Sequence, residues 1–118
     1  MTIIDPSVIR ESVSGSKAEV VFVVPDDLAY FDGHFPGAPI VPGVVQIKWA
    51  IEIARRCLSL AGAFAGMEVV KFYQIMGAGM EVTLVLEHSP DTGKLSFSFE
   101  SGHSRLSSGR VVLSRRAP

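Results

Sequence analysis

His34 is the residue of this 118-residue chain best suited to moving a proton near neutral pH, because imidazole titrates there. It stands in the run Tyr30-Phe31-Asp32-Gly33-His34-Phe35-Pro36-Gly37-Ala38-Pro39-Ile40-Val41-Pro42-Gly43. Prolines and glycines at that density exclude a helix or an inner strand. The same stretch carries Tyr30, Phe31, Phe35, Ile40 and Val41, so it is an apolar loop, expected to pack inside something. Loops of that kind often carry function. The bland alternative is a core histidine satisfied by backbone. Gly43 falls where a helix would begin. A free N–H at a helix start, backed by the helix dipole, favours a negative oxygen. Glycine there also lets a ligand approach the backbone closely. Lys48 and Glu52, four residues apart, share one helix face. They could supply an acid and its partner, or be a surface ion pair worth under ~1 kcal/mol. Gln46 and Tyr30 are further polar groups near the loop.

Other candidates carry less. Cys57 falls among apolar helix positions and reads as an inert thiol. Trp49 reads as a packing residue. His88 and His103 sit at expected strand ends, and no His/Cys/Asp cluster has metal spacing, so no metal is expected. Ser98 and Ser101 lack the context of an activated nucleophile. Gly77-Ala78-Gly79 lacks the lysine and helix of a phosphate loop.

The elements around these residues follow from periodicity. Ala18 to Val24 is valine-rich and reads as a buried strand, stopped by Pro25-Asp26-Asp27. From Val44 to about Ala65, Val44, Ile47, Ile51, Ala54 and Leu58 recur at helical spacing, Ala50, Cys57 and Ala61 widen this apolar face, and Lys48, Glu52, Arg55 and Ser59 form a narrow polar stripe at the same steps. Pro42-Gly43 suits the helix start, and Gly62 or Gly66 its end. Strands are expected over Met67–Met76, Met80–His88 and around Leu95, Phe97 and Phe99, with a last one including Val111–Leu113. Ser89–Lys94 reads as a hairpin loop. Strand, loop, one long helix and then antiparallel strands make an α+β architecture in which a sheet wraps a single helix. No repeat or linker interrupts residues 1–118, which suits one domain.

Composition limits the function classes. Hydrophobic residues make up 47% and charged ones 19%, as expected of a domain with a large core and surface to hide in an oligomer. A formal net charge of −1 gives no support for nucleic-acid binding. A single cysteine excludes an internal disulfide and suits a reducing compartment. Without a basic-then-apolar leader at Met1–Pro6 or a bilayer-length apolar run, a cytoplasmic protein with no membrane span is expected.

The run from His34 to Val44 resembles the signature of the β-hydroxyacyl-acyl-carrier-protein dehydratases of the FabZ and FabA type: a His-Phe-Pro loop, then a Pro-Gly that opens the central helix of a hotdog fold. The longer match, Tyr30 to Gly37 through Val44-Val45-Gln46-Ile47-Lys48-Trp49-Ala50, is most similar to the ApeI-like branch, associated with aryl polyene and related fatty acyl pathways. Lys71-Phe72 and Gly79-Met80-Glu81-Val82 also fit. The resemblance covers roughly the whole chain and implies a homodimer, or a higher oligomer or heterodimer, with an acyl tunnel between protomers. It implies dehydration of a 3-hydroxyacyl thioester to the trans-2-enoyl thioester. The substrate, on an acyl carrier protein or coenzyme A, brings its own phosphopantetheine, so no cofactor is expected. His34 matches the catalytic histidine and Gly43 the carbonyl-binding glycine, with Phe35, Pro42, Val44 and Tyr30 as substrate-binding neighbours. The family's Asp or Glu five residues after that glycine is here Lys48. The acid therefore stands open between Lys48, Glu52 and water. A non-catalytic or partner-dependent acyl-thioester-binding hotdog subunit and a hotdog thioesterase are the alternative functions.

Overall fold

The computed structural model describes residues 4–28 and 40–114. Its elements are β1 (Ser7–Ser14), β2 (Lys17–Val23), α1 (Gly43–Leu58), β3 (Phe64–Phe72), β4 (Glu81–Ser89), β5 (Lys94–Ser101) and β6 (Ser104–Leu113). The six strands form one sheet in the order β1-β2-β4-β5-β6-β3, every neighbour antiparallel. Alternation decides which side chains face the helix. Ala18, Val20 and Phe22 of β2 point inward, as do Val82, Leu84 and Leu86 of β4 and Leu95, Phe97 and Phe99 of β5; all are buried. The register aligns these rows, with Phe22 opposite Val82 and Leu84 opposite Phe99.

The helix α1 packs on β2 and β4. Its buried residues are Val45, Gln46, Trp49, Ala50, Ile53 and Ala54. Of the expected apolar face, Ala50 and Ala54 are buried, but the rest is rotated outward: Val44 is 76% exposed, and Ile47, Ile51 and Leu58 are only partly buried. The helix is apolar over most of its circumference, so periodicity alone could not choose a stripe. Indole size chose it. Trp49 stacks edge-on against Phe22 at 5.7 Å, and Phe22 in turn meets Phe99 at 6.0 Å. Such pairs add ~0.5–1.5 kcal/mol beyond area burial. The Trp49 indole N–H donates to the Ile4 carbonyl at 3.0 Å. Trp49 is thus a packing residue, as its sequence context suggested.

Three boundaries differ from the sequence reading. The helix stops at Leu58, with Ser59 in the left-handed region (φ 53°) as its C-cap, not at Gly62 or Gly66. Gly62 has another duty: a Cβ on it would lie 2.2 Å from the Ser114 carbonyl oxygen, so glycine permits the close backbone passage beside β6. The expected strand Met67–Met76 runs instead from Phe64 to Phe72. Beyond it, Tyr73 and Gln74 both donate to the Leu106 carbonyl and the chain turns away from the sheet edge. Strand β1 has no counterpart in the sequence reading. All eight of its residues are exposed, so it shows no core-facing signal and is held by pairing with β2.

Phe22→Ala is expected to cost ~3–5 kcal/mol, lowering the midpoint of a urea unfolding curve with little change in its slope. A loss under ~1 kcal/mol would show that the aromatic stack does not organise this core.

Candidate functional site

The start of α1 is built by three neighbouring segments. Val41 N–H donates to the Met76 carbonyl at 2.8 Å, and Ile40 bridges to Gly77. Pro42 is the N-cap residue, extended at φ −60° and ψ 150°, and makes no side-chain cap. The first bonds of the helix run from Val45 and Gln46 N–H to the Pro42 carbonyl, at 3.0 and 3.1 Å. Gly43 and Val44 precede these donors, at the end where amides have no helical acceptor. No acidic residue occupies the first turn. Among the described residues no carboxylate meets the positive end of the helix dipole, an end that favours a ligand oxygen or water.

This helix start opens on a groove of about 520 Å³, walled by Pro42, Gly43, Gln46, Phe72, Tyr73 and Ile75 among others. The Phe72 ring lies directly over Gly43: a Cβ added there would sit 2.6 Å from Phe72 Cζ. Any larger residue at that point would push the half-exposed Phe72 ring aside. Phe72, Tyr73 and Ile75 are at least half exposed and give the groove an apolar wall. The Tyr73 hydroxyl lies 3.4 Å from Ser108 Oγ. That hydroxyl, helped by Arg105, holds the phenol below its ordinary pKa. Gln46, although only 3% exposed, reaches the groove from the helix side.

Lys48 and Glu52 stand elsewhere. Five residues beyond Gly43, Lys48 is turned about 140° around the helix axis. With Val44, Ile47, Ile51, Phe64 and Met67 it lines a second groove of about 380 Å³, between α1 and β3. Lys48 Nζ lies 3.9 Å from Glu52 Oε1, and both side chains are about half exposed. Water screens such a helix pair, which is worth ~0.3–0.5 kcal/mol. The shared face expected for the two is present, and within one chain it is a different face from that of Gly43. Pro42 and Gly43 share the first groove, while Val44 belongs to the second. His34, Phe35 and Tyr30 lie outside the described residues.

Cys57 is not a poised nucleophile. Burial, then the charge of Glu11, raises its thiol above the usual value, against the opposing pull of Arg56. Arg56 itself is engaged by Glu11 of β1. The sequence reading did not assign Phe72, Tyr73 or Ile75 to the site. Their only signal was an unusual run of apolar and aromatic residues at the end of a strand. What places them at Gly43 is the pairing of β3 with β6, a long-range register.

Known proteins resemble this chain in sequence and in fold. Residues 10–110 match the family described as ApeI-like, ApeI dehydratase. A 3-hydroxyacyl-[acyl-carrier-protein] dehydratase FabZ of Erythrobacter litoralis is 35% identical over 82 residues, 62% of this chain and 54% of the relative. The FabZ of Caldanaerobacter subterraneus is 27% identical over 105 residues, 83% of this chain and 73% of that one. The chain thus spans about half the length of the first of these curated relatives. Among solved structures, a chain of the dehydratase heterocomplex ApeI:P from Xenorhabdus doucetiae superposes with a TM-score of 0.88 at 28% identity, covering 94% of this chain and 99% of that one. An uncharacterised protein from Erwinia carotovora gives 0.80 at 30%, covering 92% and 95%. A thioesterase superfamily protein gives 0.63 at 17%, a likeness of fold alone, with 91% of this chain and 53% of that one covered. The fold is the hotdog arrangement expected from the sequence.

Two outcomes are expected. Gly43→Ala should lose the ~1 kcal/mol that alanine otherwise gains in a helix, and recover it in a Phe72→Ala background; a thermal-melt double-mutant cycle reads the coupling. Glu11→Gln should lower the Cys57 pKa by removing an adjacent negative charge, so alkylation followed from pH 7 to 9 should quicken.

Proposed function

Because this chain belongs to the ApeI-like dehydratase family, we propose that it removes water from 3-hydroxyacyl thioesters, giving trans-2-enoyl thioesters. The acyl group rides on the phosphopantetheine of a carrier protein, in fatty acyl or aryl polyene-type biosynthesis, and no other cofactor takes part. The observation that carries the reading is the start of α1 at Gly43, without a side-chain cap and facing an apolar groove, six residues after the end of the His34-Phe35-Pro36-Gly37 run.

In this reading the thioester oxygen accepts from the Gly43 N–H, which stabilises negative charge as the enolate forms. His34 takes the proton from Cα. The electron pair left behind forms the Cα–Cβ double bond, and the Cβ–O bond breaks. The departing hydroxyl takes a proton and leaves as water. Its donor is Lys48, Glu52 or a water they hold. Within one chain Lys48 and Glu52 form a half-exposed pair on the helix. The acyl chain lies along Phe72 and Ile75, whose apolar surface matches it.

The proposed assembly is a dimer of hotdog chains. Edge strand β3 exposes Phe64, Met67, Val69 and Phe72, beside the exposed Val44 of α1. Unprotected strand edges recruit a further strand. A tunnel between protomers would bring the Gly43 groove of one chain against the Lys48–Glu52 groove of the other. A second reading, a subunit that needs a different hotdog partner to supply a carboxylate, is favoured by Lys48 at the family's acidic position. The Xenorhabdus relative occurs in a heterocomplex.

Mass spectrometry of a 3-hydroxyacyl carrier protein incubated with the pure chain should show loss of 18 Da. His34→Ala should abolish it, and Lys48→Ala should reveal whether the acid is lysine. No water loss with the chain alone, restored by a second hotdog subunit, would establish the partner-dependent reading. Met67→Lys with Val69→Lys should convert the dimer to monomer in analytical ultracentrifugation.

A further inference from the structure

Gln46 is a buried polar residue in a face otherwise made of Val45, Trp49, Ala50, Ile53 and Ala54. A lone amide in such a place costs several kcal/mol unless it is bonded. Here it is bonded at both ends. Nε2 donates to the Val41 carbonyl at 3.1 Å, and Oε1 accepts from Ser107 Oγ at 2.7 Å. Ser107 is fully buried in the middle of β6. The orientation of the amide is fixed by chemistry: the Val41 carbonyl can only accept, so the NH₂ must face it.

The bonded carbonyl matters for the site. Val41 and Pro42 are the two residues before Gly43, and Val41 precedes the helix, so its carbonyl has no helical donor. The Gln46 side chain supplies one. Val41 N–H is held by Met76, and the Pro42 carbonyl by Val45 and Gln46 N–H. Gln46 therefore contributes two of the bonds that fix the chain entering Gly43, one from side chain and one from backbone. Ser107 also stands opposite Phe72 in the β3–β6 ladder. The residue anchoring Gln46 is thus the register partner of the ring that covers Gly43.

We infer that Gln46 is a positioning residue: it clamps the Val41–Pro42 peptide to β6 and thereby sets the direction of the Gly43 N–H. The inference rests on the dehydration reading above. It does not touch the reacting atoms. It acts through the amide that does, where a misplacement of about 1 Å costs about 10²-fold in rate.

The test is Gln46→Leu combined with Ser107→Ala, which leaves no orphaned hydroxyl in the core. The double variant should stay folded but melt somewhat below wild type, because the Val41 carbonyl has lost its donor. Its kcat on a 3-hydroxyacyl carrier protein should fall by about 10- to 100-fold with KM barely changed, because oxyanion stabilisation is lost and chain binding is kept. Its Val41 amide should exchange hydrogen faster than in wild type. Gln46→Glu is the conservative variant. A buried carboxyl is pushed toward its neutral form, which still donates to the Val41 carbonyl, whereas the ionised form cannot. Its kcat relative to wild type should therefore rise as the pH is lowered. Wild-type kcat in the double variant, or a Gln46→Glu ratio independent of pH, overturns the positioning role. Wild type that turns over no hydroxyacyl thioester, alone or with a second hotdog subunit, defeats the dehydration reading instead. In that case Val41 exchange decides the clamp alone: faster exchange upholds it, and unchanged exchange overturns it.

Discussion

One helix has to fill the inner face of a six-stranded sheet, and the edge-on contact of Trp49 with Phe22 decides how it lies there. The indole is the largest fully buried side chain of the molecule. Once it is seated against Phe22 and, through it, Phe99, the rotation of α1 about its axis is set. Val45, Ala50, Ile53 and Ala54 follow it inward. Val44, Ile47 and Ile51, apolar as they are, are left toward the outside with Lys48 and Glu52. The Gly43 groove and the Lys48 groove both follow from this one rotation.

The same rotation turns Gln46 into the core, where an amide is tolerated only if its hydrogen bonds are made. The structure makes them with a serine on β6 and a carbonyl of the loop before the helix. A fully satisfied polar network of this kind specifies one arrangement, since any slip leaves a buried group unpaired. Apolar packing alone would let the entering loop adjust by small amounts. The helix start is thus held more tightly than its exposed, apolar surroundings, as a site for an oxygen ligand requires.

Strand β3 shows a different economy. It is an edge strand with two irregularities in its register to β6, and Val69 sits at the second of them with φ 51°. A β-branched residue in the left-handed region is strained. Bulges of this sort bend a strand and re-aim the residues after it. Here those residues are Phe72 and Tyr73, the wall of the Gly43 groove. The apolar side chains that β3 exposes would be a liability in a lone chain, and they are the surface through which a second hotdog chain would be joined.

Much of this was legible in the residues. The alternation of Val82, Leu84 and Leu86, and of Leu95, Phe97 and Phe99, marked β4 and β5 because a period of two needs no distant information. The start of α1 at Pro42-Gly43 was legible because proline and glycine act locally on the backbone. The His34-to-Val44 run announced a family and an acyl chemistry. Strand β1 was not legible, since a strand exposed on both faces carries no hydrophobic period. Nor was the end of α1, because the apolar residues after Leu58 suit a helix as well as the return to the sheet. The sequence by itself determined the elements, the fold class and the chemical types available near Gly43. Only the tertiary structure decided that Phe72 covers that glycine and that Gln46 points inward to Ser107. Each of these depends on a strand register or a helix rotation, which is set by packing between residues far apart in the chain.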